Sequence, residues 1–117
     1  MQENLCPLPC FEYFERIMCN NYYHNGELIR PDRPIEIIMT GLSDLSMACI
    51  TDHEFESEDI VLFDIKLESY PYDKLMGKVQ CLQKVGYMYR MDLAFLGMPN
   101  SLFEKIKELC DDVGHHE

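Results

Sequence analysis

Cys6, Cys10, Cys19 and His24 offer three thiolates and one imidazole, the donor set of a tetrahedral zinc site. Three, eight and four residues separate them, a spacing that matches no compact zinc finger. Pro7 and Pro9 would stiffen the turn between the first two ligands. Reduced cysteines near a packed terminus are the simpler reading of the same residues, and a small zinc-stabilised interaction domain is the alternative. His24 and His53 are the candidate acid–base groups, and neither has a serine, cysteine and acid around it in a nucleophilic arrangement. Asp52 and His53 fall in the acidic run from Thr51 to Asp59, which reads as a solvated loop between strands and lacks the ordered spacing and glycine of a calcium loop. No glycine-rich phosphate loop or HExxH helix occurs, and a non-catalytic protein is expected.

These groups need a scaffold, and 117 residues suffice for one domain with a single core. The 21 acidic side chains against 10 basic ones give a net charge of −11. That field repels nucleic acid and anionic lipid and favours basic or neutral partners. No apolar run is long enough to span a bilayer, and the first residues lack the basic flank and apolar core of a signal peptide. A cytoplasmic location, no membrane insertion and reduced thiols are expected, with Cys49, Cys81 and Cys110 packed as small apolar groups.

The clearest element is a strand over 59–68, where Val61, Phe63, Ile65 and Leu67 alternate with Leu62, Asp64, Lys66 and Glu68. Residues 75–84 repeat the alternation, with Gly77, Val79 and Cys81 on one face, and 87–95 set Tyr87, Tyr89, Met91, Leu93 and Phe95 against Met88, Arg90 and Asp92. Pro34 to Thr40 is another strand candidate, and Asn25-Gly26 marks a two-residue hairpin. After Pro99, Leu102, Phe103, Ile106, Leu109 and Cys110 recur at helical spacing over 100–111, with Ser101 and Glu104 placed as a capping box. That stripe is expected to bury against the strands. The first thirty residues support two readings: a helix entered at Pro9 and carrying Phe11, Phe14, Ile17 and Met18, or a strand leading into the hairpin. The strands together predict a mainly β domain, a small antiparallel barrel of about six strands over 35–98 with a C-terminal helix.

Two motifs then carry a family resemblance over about residues 35–110. Asp44-Leu45-Ser46-Met47-Ala48-Cys49 follows the pattern (D/N)xSxxG at its first two fixed positions, with Cys49 at the glycine. Tyr89-Arg90-Met91-Asp92-Leu93-Ala94-Phe95 follows a later strand pattern, with Asp92 where that pattern has glycine. In this order, with the closing helix, the chain resembles a PilZ domain. The resemblance implies a bacterial signalling β-barrel that reads cyclic di-GMP, with Asp44 and Ser46 as ligand residues. The family's RxxxR motif is absent: Arg30 and Arg33 are separated by two residues, and Arg16 stands apart, as ready to pair with Glu12 as with a ligand. The resemblance therefore implies a degenerate member that acts through contacts with a protein partner or in a homodimer. The alternative is a working cyclic di-GMP receptor in which Arg16, Arg30 or Arg33 joins Asp44 and Ser46. Ile38, Leu62, Leu82, Met88 and Met98 are the apolar residues expected to face outward.

Overall fold

The computed structural model describes residues 9–43 and 45–114. Eight strands are followed by one helix: β1 (Phe11–Cys19), β2 (Tyr22–His24), β3 (Glu27–Ile29), β4 (Ile35–Leu42), β5 (Ser46–Thr51), β6 (Ile60–Leu67), β7 (Tyr70–Val85), β8 (Met88–Leu96) and α1 (Asn100–Gly114). The strands form one antiparallel sheet in the order β1-β4-β5-β8-β7-β6-β2-β3. Sequence reading predicts about six strands in a closed or nearly closed barrel; the described residues form eight strands in a sheet that is not closed. No ladder joins β1 to β6 among the described residues. Instead the Tyr13 hydroxyl donates to the Lys66 carbonyl at 3.4 Å and accepts from the Glu68 N–H at 2.8 Å. A side chain thus bridges the place where backbone pairing would complete a cylinder.

The helical alternative for the N-terminal segment is overturned by β1, whose side chains alternate across the sheet. Ile17 and Cys19 are buried, whereas Phe14 and Met18 stand exposed on the other face. A helical stripe would bury all four apolar positions together, while a strand separates alternate residues. The Asn25-Gly26 hairpin forms as expected, pairing Tyr22 with Ile29, and both turn residues have positive φ, 51° and 80°.

The alternation predicted for β6 is present, with Val61, Phe63, Ile65 and Leu67 all buried. The next strand starts earlier than its alternation suggests, at Tyr70 instead of 75, because Leu67 pairs Tyr70 around a two-residue turn. That turn places Glu68 and Ser69, neither of them glycine, at φ 53° and 71°. Further along β7, Cys81 at φ 54° and Leu82 together oppose Met91 in a bulge. The extra residue breaks the alternation, so Cys81 is half-buried where a core position is expected.

One face of the sheet and one stripe of α1 enclose a single core. Leu102 and Ile106 of the helix are fully buried in it, and Leu109 and Cys110 pack at its margin. The helix therefore packs on its own sheet, as its pattern predicts, and it runs to Gly114, past the expected end at 111. Its start also differs: the Pro99 carbonyl accepts from the Leu102 and Phe103 N–H groups, so Pro99 occupies the cap position assigned by pattern to Ser101. Lys105 meets Glu68 at 2.8 Å and ties the helix to the β6–β7 turn. Among the described residues no helix is long and apolar enough to cross a membrane.

Candidate functional site

Ser46 opens β5, and its carbonyl accepts from the Ser43 N–H at 2.8 Å and from the Ser43 hydroxyl at 3.1 Å. The two hydroxyl oxygens lie 3.3 Å apart, so Ser46 belongs to a self-satisfied turn. Asp44 lies outside the described residues. Cys49, at the motif's glycine position, points inward and is fully buried, with burial pushing its thiol pKa up. Asp92, at the second glycine position, projects to the outer side between Ala48 and Gln80, yet is only 5% exposed. Burial raises its carboxyl pKa, and it makes no hydrogen bond among the described residues.

The three arginines do not gather at Ser46. Arg16 lies on β1 and pairs with Glu36 at 2.6 Å. Register explains this, because Glu36 is the cross-strand neighbour of Met18, one step diagonal to Arg16 on the same face. Arg30 and Arg33 are exposed in the link between β3 and β4. That link enters β4 at Ile35, while the Ser43–Ser46 turn leaves it after Leu42. A strand of this length separates its ends by roughly 25 Å, so Arg30 and Arg33 sit at the end of β4 remote from Ser46.

The zinc candidates are dispersed as well. Cys10 is exposed, whereas Cys19 is fully buried and donates its thiol to the Asn21 carbonyl at 3.1 Å. Burial pushes the Cys19 pKa up to about 11, which keeps the thiol protonated. His24 is engaged elsewhere, and Cys6 lies outside the described residues. No group of three or more potential ligands comes together among the described residues.

His24 belongs to a cluster that sequence reading divides between separate segments. Its Nδ1 lies 2.7 Å from Asp59 Oδ1, and the Asp59 side chain is 4% exposed. The other Asp59 oxygen accepts from the Glu56 N–H at 2.9 Å. Beside this pair, the Tyr22 hydroxyl lies 3.3 Å from His53 Nε2, and the rings of Tyr22, His53 and Phe55 meet edge to face. Phe55 is 1% exposed, so the 51–59 segment is anchored in the core and is not simply a solvated loop. The Asp59 hydrogen bond raises the His24 pKa, while burial lowers that of His53. His53 is therefore disposed to stay neutral beside the Tyr22 hydroxyl. The cluster latches the short β2–β3 hairpin, which also pairs with β6 through Tyr22 and Tyr23. The sequence signal for this site is the single apolar Phe55 inside an acidic run.

Uncovered apolar groups occur in several places on the surface, and two of these places are hollowed. A cleft of about 360 Å³ runs between the end of β1 and the outer faces of β6 and β7, lined by Met18, Asn21, Leu62, Asp64, Lys74 and Met76, with exposed Phe14 also on the outer face of β1. A hollow of about 140 Å³ lies among Leu45, Phe95, Met98 and Phe103, and Leu45 is 70% exposed. Ile38, Leu62, Leu82, Met88 and Met98, expected to face outward, are all half-buried. No family model, curated protein or solved structure matches the chain.

Proposed function

We propose that this chain is a degenerate PilZ-like module of a bacterial cytoplasm, its sheet an incompletely closed barrel, non-catalytic, that acts through contacts with a protein partner or a second copy. The observation that carries the reading is the presence of large apolar side chains outside a well-filled core, among them Phe14 at 67% and Leu45 at 70% exposure. Contiguous apolar surface rimmed by polar groups is where folded domains meet partners. The dispersion of Arg16, Arg30 and Arg33 away from Ser46 weighs against the cyclic di-GMP alternative, and the engagement of Cys19 and His24 weighs against a zinc-stabilised domain.

Photoreactive side chains placed separately at Phe14 and Leu45 in the producing cell test the proposal. A discrete protein adduct from either position is expected, and its absence from both would overturn the reading. Calorimetric titration of the reduced chain with cyclic di-GMP addresses the alternative, with no saturable heat expected. Binding near a micromolar, about −8 kcal/mol, that disappears in an Asp44→Ala, Ser46→Ala double variant would establish a working receptor instead.

A further inference from the structure

Phe103 lies at the junction of two adjacent surface features. On one side is the apolar hollow formed with Leu45, Phe95 and Met98. On the other, a shallow groove of about 390 Å³ follows the outer face of α1 past Glu104, Lys107, Glu108 and Asp111. The Lys107 ammonium lies 5.6 Å from the Phe103 ring centroid, and Lys105 lies 3.8 Å from Glu108 while holding Glu68 more closely. The groove itself therefore presents three carboxylates and one ammonium beside an apolar anchor site.

We infer that this continuous surface, from Leu45 across Phe103 to Asp111, docks a basic amphipathic segment of a partner protein. An apolar side chain of the segment would enter the Leu45–Phe103 hollow, and flanking lysines or arginines would face Glu104, Glu108 and Asp111. Charge selects this occupant over a second copy of the chain. Two molecules of net charge −11 repel each other, as do this chain and an anionic membrane, whereas a basic segment is attracted and steered. The inference rests on the protein-contact reading and identifies the chemistry of the partner.

Selection of a random peptide library against the intact folded chain tests it without a presumed sequence. The expected peptides combine an apolar anchor with lysine or arginine, bind less tightly as salt is raised, and lose about tenfold or more in affinity to Leu45→Ser. A Glu104→Lys, Glu108→Lys variant should reject them similarly. Leu45, Glu104 and Glu108 are exposed, so these variants retain the core. Enrichment of acidic or uncharged peptides overturns the inference, as does failure to enrich any. Basic peptides that tolerate both variants overturn the location while leaving the interaction module intact. Dimerisation of the chain alone that Leu45→Ser abolishes identifies a second copy as the occupant and likewise overturns it.

Discussion

His24 and His53 act in opposite directions on the same hairpin. Asp59 raises the His24 pKa, with Glu56 and Glu27 adding to the attraction, so His24 contributes fully below the ordinary 6.5 and loses its contribution as pH rises through its elevated folded value. Burial lowers the His53 pKa against the opposing pull of Asp52, Asp59 and Glu54, so its contribution is present above 6.5 and is lost as pH falls through its depressed folded value. Amide exchange across β2 and β3 is expected to accelerate on both sides of an intermediate pH. His24→Gln should flatten the alkaline limb and His53→Gln the acid limb; identical profiles in all three proteins would refute this account. Asp92 behaves as a largely buried acid with no hydrogen bond among the described residues. Its raised pKa makes the ionised form unfavourable in the folded state above the ordinary 3.8, so Asp92→Asn is expected to raise the denaturation midpoint at neutral pH and lose that advantage in acid. An unchanged or lower midpoint at neutral pH would contradict it. Asp92 is recognisable in sequence as a departure from a glycine pattern, but its burial depends on neighbours from β5 and β7.

At the scale of elements, the legible strands are those whose alternation is unbroken. β6 alternates throughout, whereas β7 contains bulges opposite Asp64 and Met91 that shift its inward side chains by one residue. Lys74 sits in the first bulge at φ 59°, with its N–H bound to the Asp64 carboxylate at 2.9 Å. The turn between β6 and β7 was illegible because it uses Glu68 and Ser69 in the left-handed region, held by Tyr13 and Lys105 from distant parts of the chain. Ser69→Gly should stabilise the protein by about 1 kcal/mol by relieving that conformation. Gly77→Ala should destabilise it by about 1–3 kcal/mol, because a Cβ there would lie 2.9 Å from Leu93 Cβ and 3.2 Å from the Phe63 ring. Denaturant midpoints check both signs, and a stabilising Gly77→Ala would show that Phe63 and Leu93 repack freely.

The whole molecule combines a single core with a strongly acidic surface. The core draws on both ends of the chain, from Ile17 and Cys19 of β1 to Leu102 and Ile106 of α1, so neither terminal element is an appendage. Most of the described acidic residues are exposed, Asp59 and Asp92 being the buried ones among them. Fluorescence anisotropy with labelled duplex DNA is accordingly expected to show no binding at physiological salt and no salt-sensitive component. Tight binding that weakens steeply with salt would reveal a basic face that the charge distribution does not provide.

The sequence by itself determined the mainly β class, the alternation of β6, the Asn25-Gly26 hairpin, the amphipathic helix and the sign of the surface charge. Each follows from neighbours a few residues apart or from composition, so no tertiary information is needed. Only the tertiary structure decided that residues 11–19 form a strand, because Phe11, Phe14, Ile17 and Met18 fit a helical period as well as β1 and only pairing with β4 separates the two. It also decided that the sheet has eight strands and stays open, that Arg30 and Arg33 lie at the far end of β4 from Ser46, and that His24 meets Asp59. These are relations between separate segments or between opposite ends of one strand, set by register and chain path, and local spacing carries no record of them.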